Sequence, residues 1–528
     1  MTPDSASLFV YWTNQGVSRL ASGDRQSAIK GFLKARAVDP TSYVSYNNVG
    51  HIHHSNGDSL RGRLEYTRAA LCDPHIALAW IGLGLCCVDK SDSREAPTCF
   101  ARAVVLSPDN SQGYGNLAVA IQASATAEAR AAILSRGHFA QPDDFLPPYN
   151  LGQLHLTETE DLPTAFSFLQ KALSLNPGSA QTLCNLGVYH RDTAQPEIAA
   201  ICFYRSRYIS PLDAETNWNI GLLLLAHGKY LEGWAQYEKR HALRTRQRPP
   251  LTRTPILEFG TKLNDKKILV YTEQGLGDAI QFARFVYRLN SLGARVTLQV
   301  PDRLCRLMKE SDLPCEILSP RESHDDKTYD FQVSALSLPH RLSLIEERSF
   351  AAEIPFLRAE PSRIEKWRQV IDPRKLRIGI AWQGRKSRID LGRSFPLSEL
   401  SSIASLNGVQ LVCLQGDSGI DQLAPFSHRD NVLYFGDELD RDGAFIDTVA
   451  IMKSLDLVIT PDTSIAHVAG TLGIPVWIAL SAAPDWRWGF HGDFTPWYPT
   501  ARLFRQDTLG KWEPVFDRMI ASIVAKRL

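Results

Sequence analysis

From about Phe9 to Arg244 apolar positions recur at helical spacing, in blocks that restart every 34 or 35 residues. Each block holds two amphipathic stretches with the period that buries one face of a helix. The punctuation is equally regular. Pro40, Pro74, Pro108, Pro142, Pro177 and Pro211 are separated by 34, 34, 34, 35 and 34 residues. Small residues keep the same register at Gly16, Gly50, Gly84, Ala118, Gly152, Gly187 and Gly221. Aromatics precede them at Trp12, Tyr46, Trp80 and Tyr114. Further small residues follow at Ala28, Gly62, Ala96, Ala199 and Gly233, then Phe32, Tyr66, Phe100, Phe203 and Tyr237. Small residues let two helices touch, and proline closes each block. The pattern predicts seven helix pairs, with the fourth and fifth least regular: Pro148 replaces an aromatic and Ala118 a glycine.

This register is that of the tetratricopeptide repeat. Stacked pairs form a superhelix whose concave groove binds an extended peptide or protein segment. Asn47, Asn116, Asn150, Asn185 and Asn219 recur near the first helices, joined by Asn48 and Asn217. An amide ladder can hydrogen-bond an acceptor's backbone whatever its sequence; the plainer alternative is solvated helix surface. These five asparagines are the acceptor-binding candidates.

His241 to Thr254 breaks the repeat with two prolines and several arginines. It reads as a solvated basic connector, or as a holder of an anionic ligand. Beyond it the period changes. Short apolar runs alternate with amphipathic stretches, the pattern of parallel strands with crossover helices. Strands are expected at Lys266–Thr272, Ala294–Val300, Cys315–Leu318, Tyr329–Ser337, Leu376–Gly384, Val409–Gln415, Val432–Asp437, Leu457–Ile459, Val476–Leu480 and Ala501–Gln506. A helix over Glu513–Lys526 closes the chain. The expected division is repeats at 1–244, a linker at 245–265, and two Rossmann-like domains at 266–371 and 372–528.

Composition adds limits. The chain has 528 residues, 44% apolar and 22% charged, with a formal net charge of +1. That balance is typical of a folded soluble protein and argues against a nucleic-acid partner. No apolar run approaches the ~18 residues of a membrane span, and no signal peptide is visible. Nine cysteines without metal spacing read as small buried hydrophobes in a reducing compartment. A cytoplasmic protein is expected.

The candidate chemistry lies at strand-to-helix turns. Asp462, Thr463 and Ser464 are N-cap types after a buried strand, with His467 in the first helical turn. Free N–H groups there suit a phosphate; the alternative is an ordinary capped helix over a buried histidine. Gly275 and Gly277 suggest a tight turn with positive φ and close backbone approach. Asp278 opens the next helix, where a helix dipole also favours an acid. Arg385, Lys386, Arg388 and Arg393 lie in a loop after a strand.

The segment from Asp462 through His467, the following GTLGIPVWIALS and PDWRWG, and the Gly275–Asp278 turn together resemble bacterial glycosyltransferases of the heptosyltransferase type. The likeness covers Lys266 to Gln506 and is closest to a branch with tetratricopeptide repeats ahead of the transferase. It implies a GT-B arrangement, two Rossmann-like domains across a cleft, and an inverting, metal-independent sugar transfer from a nucleotide-sugar donor. Asp278 would be the general base. Asp462, Thr463, Ser464 and His467 would lie against the donor's diphosphate and sugar, with Arg385, Lys386 and Arg393 on its phosphates and Gly275 and Gly277 beside it. The final helix would cross back onto the first domain. The repeats point to a protein acceptor, for which a flagellar or surface protein is the candidate. No resident cofactor or metal is expected. The alternatives are a heptosyltransferase-like enzyme of lipopolysaccharide assembly, and a non-catalytic scaffold.

Overall fold

In the computed structural model, residues 3–89, 94–159, 161–243, 249–322, 328–351, 353–384, 392–416, 418–426 and 429–525 are described. They form two compact units, Met1–Leu186 and Gly187–Leu528. No helix among the described residues is long and apolar enough to cross a membrane. Among the described residues, which include all nine cysteines, no disulfide forms.

The first unit is a stack of tetratricopeptide-like helix pairs, from Pro3–Ala21 with Arg25–Val38 onward. The small residues of the repeat register sit where helices meet. A Cβ on Gly16 would stand 2.7 Å from the Phe32 ring, and one on Gly84 2.5 Å from Phe100. In the irregular fourth pair, Ala118 and Leu134 are buried together. The fifth pair starts with Pro147 and Pro148 in the first turn of its helix and ends that helix in a π-turn over His155–Thr159.

The second unit opens with two more helix pairs, ending at Tyr230–Tyr237. Gly187 meets Phe203 as Gly16 meets Phe32, with a Cβ-to-ring distance of 2.5 Å. These pairs lead into two parallel sheets. The first comprises β1 (Lys267–Tyr271), β2 (Arg295–Gln299), β3 (Glu316–Leu318) and β4 (Phe331–Ser334), in the order β3-β2-β1-β4. The second comprises β5 (Leu376–Ile380), β6 (Val409–Cys413), β7 (Val432–Leu433), β8 (Leu457–Pro461), β9 (Val476–Leu480) and β10 (Ala501–Arg505), in the order β10-β9-β8-β5-β6-β7. Counted from β5, that is the 3-2-1-4-5-6 order of doubly wound nucleotide-binding sheets. The central strands are buried along their whole length, so their sequences run apolar instead of alternating.

The last repeat is part of the first sheet's core. Tyr230, Trp234 and Tyr237 share one apolar cluster with Ile268, Val270 and Phe282. The Trp234 indole donates to the Leu344 carbonyl at 3.1 Å and packs edge-on against Phe282 and Trp486. Arg240 is fully buried and donates to Glu273, just beyond β1, at 2.7 Å.

Three expectations are corrected here. The connector is not solvated throughout. Residues 244–248 lie outside the described residues, but Leu251 is buried, and Leu257 N–H donates to the Gln332 carbonyl of β4 at 2.8 Å. The Gln332 side chain in turn donates to the carbonyls of Leu251 and Thr254. The final helix, Glu513–Val524, does not cross back to the first sheet. Its Val515, Phe516, Met519 and Ile523 pack with Ile378, Leu400 and Leu411 on the second. Positive φ belongs to Gln274 at 69°, not to the glycines beside it; Gly275 has φ −86°.

Candidate functional site

β5 and β8 are neighbours, yet the chain leaves them toward opposite edges of the sheet. The crevice beyond their C-terminal ends is where such sheets bind ligands. A cavity of about 430 Å³ opens there. Gln383 and Gly384 follow β5 into its wall, Gln415 and Gly416 follow β6, and Thr463, Ser464 and Ile465 follow β8. Tyr434 and Asp437 line it after β7, while Leu276 and Arg303 reach it from the first sheet.

The helix Ser464–Thr471 begins at this wall. Its N-cap is Thr463, in extended backbone, whose side chain makes no cap hydrogen bond to the first turn. The Thr463 hydroxyl is instead 3.0 Å from that of Thr460. Asp462 is turned to Arg393, whose guanidinium lies 3.0 Å from its carboxylate and also donates to its carbonyl. Burial pushes the Asp462 carboxyl up, against the pull of Arg393. Arg385, Lys386 and Arg388 lie outside the described residues.

The Gly275–Asp278 turn meets this helix from the first sheet. A Cβ on Gly277 would stand 2.7 Å from the His467 ring and 3.4 Å from the Ser464 Cα, so this approach requires glycine. The Asp278 carboxylate accepts the Gly275 N–H at 2.9 Å with one oxygen. The other oxygen accepts from Arg487. Arg487, in the loop after β9, also donates to Asp485 at 2.8 Å and to Gln281 at 2.7 Å. Burial opposes its charge, but Asp485 and Asp278 outweigh that and hold it protonated. Burial also works against the Asp485 carboxylate, and Arg487 reverses the balance and keeps it ionised. One buried guanidinium therefore joins the turn after β1 to the loop after β9. Within the PDWRWG stretch, sequence reasoning passed over Arg487. Its signal was an arginine between two tryptophans.

Glu273 is adjacent to this turn. Its carboxylate accepts from Arg240 and from the Ser334 hydroxyl and is buried. Asp447 and Thr448 are structural. Asp447 accepts from Arg363 and the Trp367 indole, both at 2.9 Å, and Thr448 donates its N–H to Asp440 at 2.9 Å.

His467 is buried beneath the cavity wall, not exposed in the crevice. Its Nδ1 lies 2.7 Å from the Tyr498 hydroxyl, and its ring stacks on Trp488 at 5.6 Å. Burial, then the guanidiniums of Arg487, Arg284 and Arg393, hold its pKa well below the usual 6.5. The folded chain refuses a proton that the unfolded chain accepts near pH 6.5. This contribution to stability is therefore complete above that pH and declines as pH falls through and below it. Melting curves at pH 7.5 and 5.5 should show a smaller acid-induced drop for His467→Gln than for the wild-type chain. An equal drop in both would remove His467 as a source of acid sensitivity.

The asparagine row is carried on the first helices of the second and of the fourth to seventh pairs, and skips the third, Ala77–Asp89. Asn47, Asn116 and Asn150 are partly exposed, and Asn185 is buried. The Asn47 Oδ1, Asn116 Nδ2 and Asn185 Nδ2 atoms have no hydrogen-bond partner among the described residues. In the second unit, Asn219 is buried, accepting from Arg191 at 2.7 Å and donating to the Glu215 carbonyl at 3.0 Å. Asn217 donates to the Pro211 and Asp213 carbonyls and serves its own turn.

No family model matches the chain. Protein FlbA of Caulobacter vibrioides is 25% identical over 512 residues, with 85% of each chain covered. BBSome complex member BBS4 of Bos taurus is 21% identical over 280 residues, 53% of this chain and 45% of that one. Among solved structures, pilF of Pseudomonas aeruginosa covers 40% of this chain at a TM-score of 0.36 and 14% identity. YrrB, described as a TPR protein with an unusual peptide-binding site, covers 35% at a TM-score of 0.27 and 22% identity.

Proposed function

We infer that this chain is a glycosyltransferase of the GT-B arrangement, transferring a sugar from a nucleotide-sugar donor to a protein held on the repeats. The carrying observation is the cavity at the β5–β8 switch point, walled by an uncapped helix start at Thr463–Ser464. Hydroxyls and free N–H groups there suit a diphosphate. Asp278 acts as the base, since it opens a helix beside the helix that meets this wall. The transfer is inverting and uses no metal. The asparagines of the repeats bind the acceptor's backbone. A thermal-shift screen of the full chain against nucleotide sugars tests the donor. A ligand at 100 times its Kd adds about 2.7 kcal/mol of stability. Absence of any stabilisation across UDP-, ADP-, GDP- and CMP-linked sugars would count against the reading.

A second reading, a binding scaffold on a silent transferase fold, draws on the ion pair that occupies Asp278. It expects acceptor binding to the repeats without donor turnover. Hydrolysis of a donor that binds would exclude it.

A further inference from the structure

Among the described residues, the cation in the wall of the switch-point cavity comes from the other sheet. Arg303 sits in the helix Asp302–Lys309, which follows β2. Its backbone is fixed against the second sheet's side: the Arg303 carbonyl accepts the Ala444 N–H at 2.9 Å, and Leu304 beside it is buried. Arg303 itself is exposed, and it forms no ion pair with a described residue. Among the described residues, the other guanidiniums nearby are committed. Arg306 pairs with Glu310 at 2.9 Å, Arg393 with Asp462 at 3.0 Å, and Arg487 with Asp278 and Asp485. Across the cavity stand the hydroxyls of Thr463 and Ser464 and the uncapped N–H groups of their helix. The Asp440 carboxylate is already occupied, accepting the N–H groups of Asp447 and Thr448 at 2.7 and 2.9 Å.

Donors thus face each other from the two sheets; the Asp437 carboxylate lines the wall on the second sheet's side, and the uncommitted charge on the first sheet's side is positive. We propose that Arg303 is the cationic contact to the phosphates of a nucleoside diphosphate in this cavity, so that the ligand is held by both sheets at once. This rests on reading the cavity as a nucleotide-sugar site and names the residue that makes the site selective for the anionic part of the ligand. A guanidinium forks onto two phosphate oxygens, which a lysine ammonium cannot reproduce.

Isothermal titration of the full chain with UDP, ADP, GDP and CDP, and with the matching nucleosides, tests the assignment. For the diphosphate that binds, Arg303→Ala should weaken binding about tenfold or more, the loss of a charge-assisted contact. Nucleoside affinity should move less than about twofold, since a nucleoside carries no phosphate for the guanidinium to hold. Arg303→Lys should fall between Ala and wild type. Unchanged diphosphate affinity in Arg303→Ala, or an equal fall for nucleoside and diphosphate, overturns the role of Arg303 while leaving the nucleotide site in place. Failure of every diphosphate to bind the wild-type chain overturns the nucleotide reading itself, and the Arg303 assignment with it.

Discussion

Residues 255–528 on their own should aggregate, whereas residues 178–528 should give a soluble protein that melts cooperatively. The compact units divide between Leu186 and Gly187, inside the helix Ala180–Asp192, so a clean cut belongs before that helix. A cut at the connector removes Tyr230, Trp234, Tyr237 and Arg240, all of them buried in the second unit. Losing the Trp234 side chain alone should cost about 3–5 kcal/mol, the range for a buried tryptophan reduced to alanine. Losing Arg240 strips Glu273 of its guanidinium while it stays buried, which should cost a further ~3–5 kcal/mol. Together these approach the ~5–15 kcal/mol that holds a whole domain folded. The break in the repeat pattern at His241–Thr254 should therefore not separate two independently folding halves. Trp234→Ala in the full chain provides the point test, with a large fall in the denaturation midpoint of the second unit. A soluble 255–528 fragment melting like the longer one would show that the last repeat is not part of that unit's core.

The repeats were legible because their grammar is local. Gly16 and Phe32, or Gly187 and Phe203, announce a helix contact within one repeat, and the proline spacing fixes the register. The strands were legible as apolar runs, and their alternation with helices implied parallel sheets. What the sequence hid was which local units share a core. Tyr230, Trp234 and Tyr237 fit the repeat pattern while also serving the first sheet. The candidate site divides the same way. The Asp462–His467 turn is a local motif, and it does sit at a strand-to-helix turn beside the cavity. The bond from Arg487 to Asp278 spans 209 residues, and no spacing rule points to it. The position of Arg303 was hidden for the same reason, since nothing local in its sequence places it in the wall of a cavity of the other sheet.

Asp278→Asn should lower transfer by about 10²-fold or more, the usual worth of general-base assistance. Capping considered by itself would let the amide keep the bond to the Gly275 N–H and leave stability near wild type. The structure alters that expectation. Both carboxylate oxygens accept hydrogen bonds, one from the Gly275 N–H and one from Arg487. An amide offers one acceptor oxygen and presents its NH₂ to the other donor. The variant therefore loses either the cap or the bridge, at a cost of about 1–3 kcal/mol. Lost activity then has two sources to separate: the missing base, and a loosened contact between the turn after β1 and the loop after β9. Arg487→Lys separates them. It keeps the positive charge beside Asp278 and Asp485 but gives up the guanidinium fork, so it weakens the bridge and leaves the carboxylate intact. If Asp278 is the base, Arg487→Lys should melt lower than wild type yet turn over within about tenfold of it, while Asp278→Asn loses ~10²-fold or more at saturating acceptor. Equal losses in the two variants would assign the effect to the bridge. An Asp278→Asn chain turning over within a few-fold of wild type would take Asp278 out of the chemistry. Glu273 could not readily replace it, because Arg240 and Ser334 already hold its carboxylate in a buried site.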